Sequence, residues 1–243
     1  MANNTSMRLI LRPICIGWFF FWTLLSTINA QLPAQDSLRR LLVAHPQQDD
    51  RRAELLNGLA FLLHTSQPDQ TLIYADEVIG FADKIKHIKN VSSAYSMKSI
   101  AYLTKSDFKN AEIWAEKSLE IDQRIHNKEG IASNTSNLGL IYYRQNKYPY
   151  ALARFQEAAR LFKETNNPNE RMMYLNMSAV YAENKNFRKA EEYIQIARER
   201  NREINDPRLE GYALLNLGTL YTDEEDYQKG RLYLDSALMV NKQ

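Results

Sequence analysis

The side chains best suited to proton transfer or metal ligation near neutral pH are four histidines, His45, His64, His87 and His126. A helical metal site needs two such ligands one turn apart, and no two of these stand within four residues of each other. His64 falls at the end of an amphipathic run, where a surface histidine is the ordinary reading. Neither a Gly-rich phosphate loop nor a Gly-x-Ser-x-Gly elbow occurs. The carboxylate pairs Glu191–Glu192 and Glu224–Glu225 fall on solvated faces or turns, and Trp114 reads as packing. No catalytic residue, metal site or cofactor is expected, and the chain reads as a non-enzyme. The side chains left with binding chemistry are Asn57, Asn137, Asn176 and Asn216, whose amides can both donate and accept hydrogen bonds.

What the asparagines share is their place in a repeat. The block "NLGLIY" at 137–142 returns as "NMSAVY" at 176–181 and "NLGTLY" at 216–221, with weaker copies "MKSIAY" at 97–102 and "NGLAFL" at 57–62. The intervals are 40, 40, 39 and 40 residues. Downstream of each block stands an aromatic or Pro (Pro68, Phe108, Tyr148, Phe187, Tyr227). Three residues later comes Thr71, Ala111, Ala151, Ala190 or Gly230. Columns that keep one spacing over five copies mark a repeat architecture.

Within a copy the period is helical. Tyr148, Ala151, Phe155, Ala158 and Phe162 recur at steps of three and four and so share one face. Leu138 and Tyr142 form the matching stripe on the preceding helix. Small residues in the Gly139 and Ala151 columns let the two backbones approach. Each copy is therefore an antiparallel helix pair, and the pairs must stack to bury both faces. The expected fold is all-α, a right-handed superhelical solenoid of about five pairs, its first helices lining the concave side. At the joints, Asn167, Pro168 and Glu170 resemble a capping box, and Asp206 with Pro207 a simple helix start.

Residues 1–30 differ from the rest. Arg8 and Arg12 precede the uncharged apolar run "ICIGWFFFWTLL", followed by the more polar "STINA". This is the pattern of an export signal cleaved before Gln31, with Met7 an alternative start. The competing reading is an uncleaved anchor, although a span takes about 20 apolar residues. The single cysteine, Cys15, lies inside the apolar run, so a cleaved chain would be cysteine-free. The leader holds two basic and no acidic residues. The remainder is accordingly charge-balanced and lacks the basic footprint of a nucleic-acid binder.

The pattern of a small residue three before a tyrosine, then aromatic, Ala and Ala, resembles the tetratricopeptide (TPR) repeat over residues 50 to 243. The usual period is about 34 residues, and the longer one here resembles the kinesin-light-chain-like subgroup. The organisation expected is a leader at 1–30, a linker at 31–48 and repeats near 50–88, 89–128, 129–168, 169–207 and 208–243. Lys98 in an apolar column and Leu62 in the tyrosine column predict less regular packing in the first two copies.

The resemblance implies that the Asn column faces a groove and holds a bound peptide's main chain; the alternative is that each Asn bonds a neighbouring helix and sets the stacking. By helical spacing Leu140, Tyr143, Arg144 and Tyr212 also face that groove. The residues beside the asparagines (Leu56, Ser136, Leu175 and Leu215) argue against a carboxylate clamp. The implied partner is a protein or peptide segment, with no nucleic acid and no membrane beyond an uncleaved leader. The reading is an exported, periplasmic interaction module, or with an uncleaved leader an inner-membrane-anchored one. The alternative is the sensor region of a Bacteroidetes-like histidine kinase or transcriptional regulator, whose output domains would follow. No polar capping helix follows the fifth copy, which predicts self-association there or a longer product.

Overall fold

The computed structural model describes residues 34–240, so the expected leader and its cleavage lie outside the described residues. Two compact units divide at residue 46. In the first, residues 34–44, read from sequence as part of a linker, form helix α1. The second holds α2 (Asp50–Leu63), α3 (Pro68–Gly80), α4 (Lys89–Thr104), α5 (Phe108–Arg124), α6 (Lys128–Arg144), α7 (Tyr148–Glu164), α8 (Glu170–Glu183), α9 (Phe187–Asn201), α10 (Pro207–Asp223) and α11 (Tyr227–Val240). A 3-10 turn at Ala82–Lys84 follows α3. No strand occurs among the described residues. The ten helices pack as five consecutive pairs, each second helix also touching the first helix of the next pair. This is the solenoid that the column spacing predicts.

The small residues sit where backbones meet. A Cβ built on Gly139 would stand 2.6 Å from Phe155 Cε1, and one on Gly218 would stand 2.6 Å from Leu234 Cγ. Ala111, Ala151 and Ala190 are wholly buried. In the second pair Ser99 replaces the glycine and donates its Oγ to Ala111 O at 2.7 Å, which satisfies a buried hydroxyl without opening the joint.

The turns use a device that glycine usually supplies. Ser106, His126, Asn146, Asn166, Lys185 and Glu225 all have positive φ, between 52° and 69°. At each, the residue's N–H bonds the carbonyl three back and the next N–H bonds the carbonyl five back, as in Asn146 to Tyr143 and Lys147 to Tyr142, both 2.9 Å. This Schellman arrangement closes the helix ends with side chains that tolerate the conformation unequally. Helix starts are capped by Asp49, Asp107, Asn186 and Asp206. The expected capping box does not form. Asn167 Oδ1 accepts from Asn169 N at 2.9 Å in a short turn before α8, while Glu170 accepts the Tyr174 hydroxyl at 2.9 Å.

Lys98 does not loosen the second pair, which packs as closely as the third. Only 9% exposed, it forms an ion pair with Asp76 and lies over the Trp114 ring, with Nζ 4.0 Å from the centroid. The first pair makes the smallest contact of the five, as its divergent columns predict.

Two inter-pair joints are polar. Between α5 and α6, Asp122 is 2% exposed and accepts from Asn127 and Asn134 Nδ2, each at 2.8 Å. Asn134 also reaches Ser118 Oγ at 2.8 Å, and Ser118 donates to Ser92 O at 2.8 Å. Gly130 admits this cluster, since a Cβ there would overlap the Asp122 carboxylate. Near α9 and α10, buried Arg171 donates to Asn201, whose Nδ2 in turn donates to Asp206 O at 2.8 Å.

Candidate functional site

Successive first helices (α2, α4, α6, α8 and α10) pack on one another, while no comparable contact joins successive second helices. The array therefore curves with its first helices on the inner side. Among the described residues no group of acidic, His or Cys side chains is placed to hold a metal, and no helix is long and apolar enough to cross a membrane. His64 turns back onto its own helix, and His87 lies beside Asp50. The inner face is where the asparagine column stands.

Three of the four asparagine amides are turned sideways along that face. Asn57 Nδ2 donates to Asn90 O at 2.9 Å, Asn137 Nδ2 to Ser96 Oγ at 3.2 Å and Asn216 Nδ2 to Ser178 Oγ at 3.4 Å. Each bond crosses to a neighbouring first helix, which is the stacking role. Each amide nitrogen keeps a second hydrogen, so the bond leaves binding capacity at Asn137 and Asn216. Asn57 Oδ1, by contrast, is buried with no partner. Asn176 is half-buried and makes no side-chain hydrogen bond among the described residues.

Leu140, half-buried, packs between the cores of successive pairs and supplies an apolar floor. Tyr143 lies over Tyr148, ring centroids 6.1 Å apart. Burial, reinforced by the Glu183 carboxylate, pushes the Tyr143 phenol up to about 12, so it stays a hydrogen-bond donor at neutral pH. Arg144 is exposed, and its Nη2 comes within 3.4 Å of Ser106 Oγ across the preceding turn. The structure thus gathers Tyr143, Tyr148, Arg144 and Glu183 at one edge of the inner side. Tyr212, 51% exposed, stands apart at the opposite end of α10's helix pattern. Its neighbours Leu215 and Thr219 lie on the same stripe, half-buried and exposed.

The buried Ala53, Leu56, Ala60 and Leu63 show that the corresponding stripe of α2 is closed. Accessible positions on this stripe begin at α4 and include the exposed Tyr212 and Thr219 of α10. Spacing alone pointed to Tyr143 and Asn137 but missed their respective companions, Tyr148 and Ser96. Tyr148 opens the second helix of its own pair, and Ser96 sits a full repeat away from Asn137.

Residues 90–164 match the tetratricopeptide repeat family. The fold is that of BtubC (BKLC) from P. vanneervenii, with a TM-score of 0.64 at 20% identity over 90% of this chain and 91% of that one. A Rap protein complexed with Competence and Sporulation Factor gives 0.65 at 16% identity, covering 79% of this chain and 64% of that one. A kinesin light chain with TPR-like repeats from Podosopora anserina gives 0.59 at 12% identity, covering 78% of this chain and 94% of that one. The chain thus spans less than two thirds of the Rap protein. At these identities the likeness is one of fold. No curated protein matches the sequence.

Proposed function

We propose that this tetratricopeptide-type solenoid is a non-catalytic interaction module that seats a segment of a partner protein along its inner face, from α4 to α10. The observation that carries the reading is the stripe of Leu140, Tyr143, Asn176 and Tyr212, which the packing of the pairs leaves half-buried or exposed. Aromatic and apolar side chains give area at low entropic cost, and the amides and the Tyr143 hydroxyl give direction. Repeat arrays use such curved surfaces for extended ligands. The mixed signs of Arg144 and Glu183 favour a segment that is largely uncharged where it crosses the stripe.

Export is part of the same reading. It is supported by the leader pattern of residues 1–30 and by the absence of cysteine beyond Cys15. A periplasmic setting suits a module without thiols.

The experiment is site-specific photo-crosslinking in cells, with a benzophenone side chain at Tyr212 or Arg144. Both positions should capture one defined partner, identified by mass spectrometry. Ile73, 54% exposed on the second-helix side, is the control and should capture none. Equal capture at Ile73, or none at either inner position, overturns the inner-face reading.

A further inference from the structure

The opposite face carries a second candidate site, visible when two repeats are compared. On the second-helix side, α4, α6, α8 and α10 each lie between two second helices. Two repeats apart, the same columns hold Tyr95 and Tyr174 on the first helices, and Trp114 and Tyr193 on the second. Both aromatic pairs are in ring contact, with centroids 5.3 Å apart for Tyr95–Trp114 and 6.4 Å for Tyr174–Tyr193.

The earlier cleft is filled by the chain itself. Lys98 lays its Nζ 4.0 Å from the Trp114 centroid and pairs with Asp76, while Lys117 Nζ stands 4.2 Å from the same ring. The arrangement is a charged head on an aliphatic stem, its stem against aromatics and its head at an oppositely charged rim.

The later cleft, between α7 and α9 over α8, is empty of such a side chain and measures about 270 Å³. The Lys98 column there is Met177, which is 2% exposed and forms the floor with Ala159. The rim has changed charge. Asp76, which pairs with Lys98, is replaced in its column by Gln156, and Arg160 and Lys163 stand on the same wall of the later cleft. Arg160 shares its charge with Glu164, but Lys163 meets no carboxylate among the described residues. Of the acids near the cleft besides Glu164, Glu170 is engaged by the Tyr174 hydroxyl and Glu192 lies near the Tyr193 ring, while Arg200 adds positive charge near Tyr174.

We propose that this outer cleft takes a glutamate side chain from an acidic segment of a partner protein, its methylenes against Met177, Tyr174 and Tyr193 and its carboxylate at Lys163 and Arg160. It is the charge-inverted counterpart of what Lys98 does two repeats earlier. A free inorganic anion would leave the apolar floor unused, and a cationic side chain would meet the rim with the wrong sign. The neighbouring hollow near α10, about 360 Å³, offers no equivalent because its Arg198 is held by Glu210 at 2.7 Å. The site is separate from the inner face and does not depend on the reading given for it.

The probe is a synthetic peptide, acetyl-Gly-Glu-Glu-Leu-Glu-Glu-Gly-amide, with the version carrying Lys for Glu as its counterpart. The readout is the ring signals of Tyr174 and Tyr193 in tyrosine-labelled protein, assigned through Tyr→Phe variants. The Glu peptide should shift both signals and weaken several-fold as salt is raised, since a rim ion pair is screened. The Lys peptide should shift neither. Lys163→Glu, an exposed change whose fold is checked by circular dichroism, should weaken Glu-peptide binding at least fivefold. Gln156→Asp with Lys163→Asp, which restores the carboxylate of the Asp76 column and reverses the rim charge, should reverse the preference toward the Lys peptide. Unmoved tyrosine signals, or Glu-peptide binding that survives Lys163→Glu, overturns the proposal. Tyr212→Ala on the inner face should leave this binding unchanged.

Discussion

Gly139 and Phe155 share one space: a Cβ on Gly139 would sit 2.6 Å from Cε1 and 2.7 Å from Cδ1 of the Phe155 ring. Phe155 is 1% exposed and enclosed by Ala132, Ala158 and Met177, so it has nowhere to move. Gly139→Ala should therefore lower stability by about 1–3 kcal/mol, the usual cost of overpacking, despite alanine's better helix propensity. Gly80 meets nothing within 4 Å. Gly80→Ala should be neutral or stabilise by up to about 1 kcal/mol. Thermal unfolding followed by circular dichroism compares the two, and equal effects would show that the contact does not govern the joint.

The left-handed turns offer a gain. Lys185 has φ 57° and Glu225 has φ 69°, each exposed and each closing a first helix. A side chain pays about 1–2 kcal/mol to adopt this conformation, and glycine gives part of that back through its freer unfolded state. Lys185→Gly and Glu225→Gly should each raise stability by about 0.5–1 kcal/mol. Asn146→Gly, at φ 59°, should gain less, because asparagine tolerates the region. A drop in melting temperature for the first two variants would contradict the assignment of these turns.

The amide column separates stacking from binding. Asn57→Ala removes the bond to Asn90 O and should cost about 1 kcal/mol. Asn176, without a side-chain hydrogen bond among the described residues, should be replaceable by Ala with stability unchanged. Under the proposed function, Asn176→Ala together with Tyr212→Ala should reduce crosslinking of the partner several-fold while helicity stays constant. Collapse of the fold in that double variant would assign the column wholly to packing.

At high pH the inner-side tyrosine should make itself felt. The Tyr143 phenol is held at about 12 against its ordinary 10.0, chiefly by burial. A folded-state value above the unfolded one means that the protonated form is favoured by folding. That contribution is complete below pH 10 and is lost as the pH rises toward about 12. Denaturant unfolding across this window should show stability falling with pH, and Tyr143→Phe should make the fall shallower. An unchanged slope in the variant would place the alkaline loss elsewhere, with Tyr174, also held at about 12, the next tyrosine to replace.

The helix pairs, their number and their packed faces were legible in the residue spacing. Steps of three and four among Tyr148, Ala151, Phe155, Ala158 and Phe162 describe one side of one helix, and that is a local property. The Gly139 and Ala151 columns likewise announced close backbones, and Asp206 announced a helix start. The turns were not legible, because the positions that usually betray themselves by glycine carry Ser, His, Asn, Lys and Glu. The capping box at Asn167 did not form: α8 begins only at Glu170, whose carboxylate accepts the Tyr174 hydroxyl.

What the sequence by itself determined was therefore everything that repeats along a single chain direction: five pairs, their small-residue joints and the column in which the asparagines stand. Only the tertiary structure decided what those columns meet. Asn137 reaches Ser96 and Asn57 reaches Asn90 because successive first helices lie at one particular separation. Lys98 is accommodated because Asp76 and Trp114, from two other helices, arrive on either side of it. The physical reason is that periodicity fixes the face a side chain points from. The partner it finds depends on the tilt and distance between helices, which many side chains set jointly and no single spacing encodes.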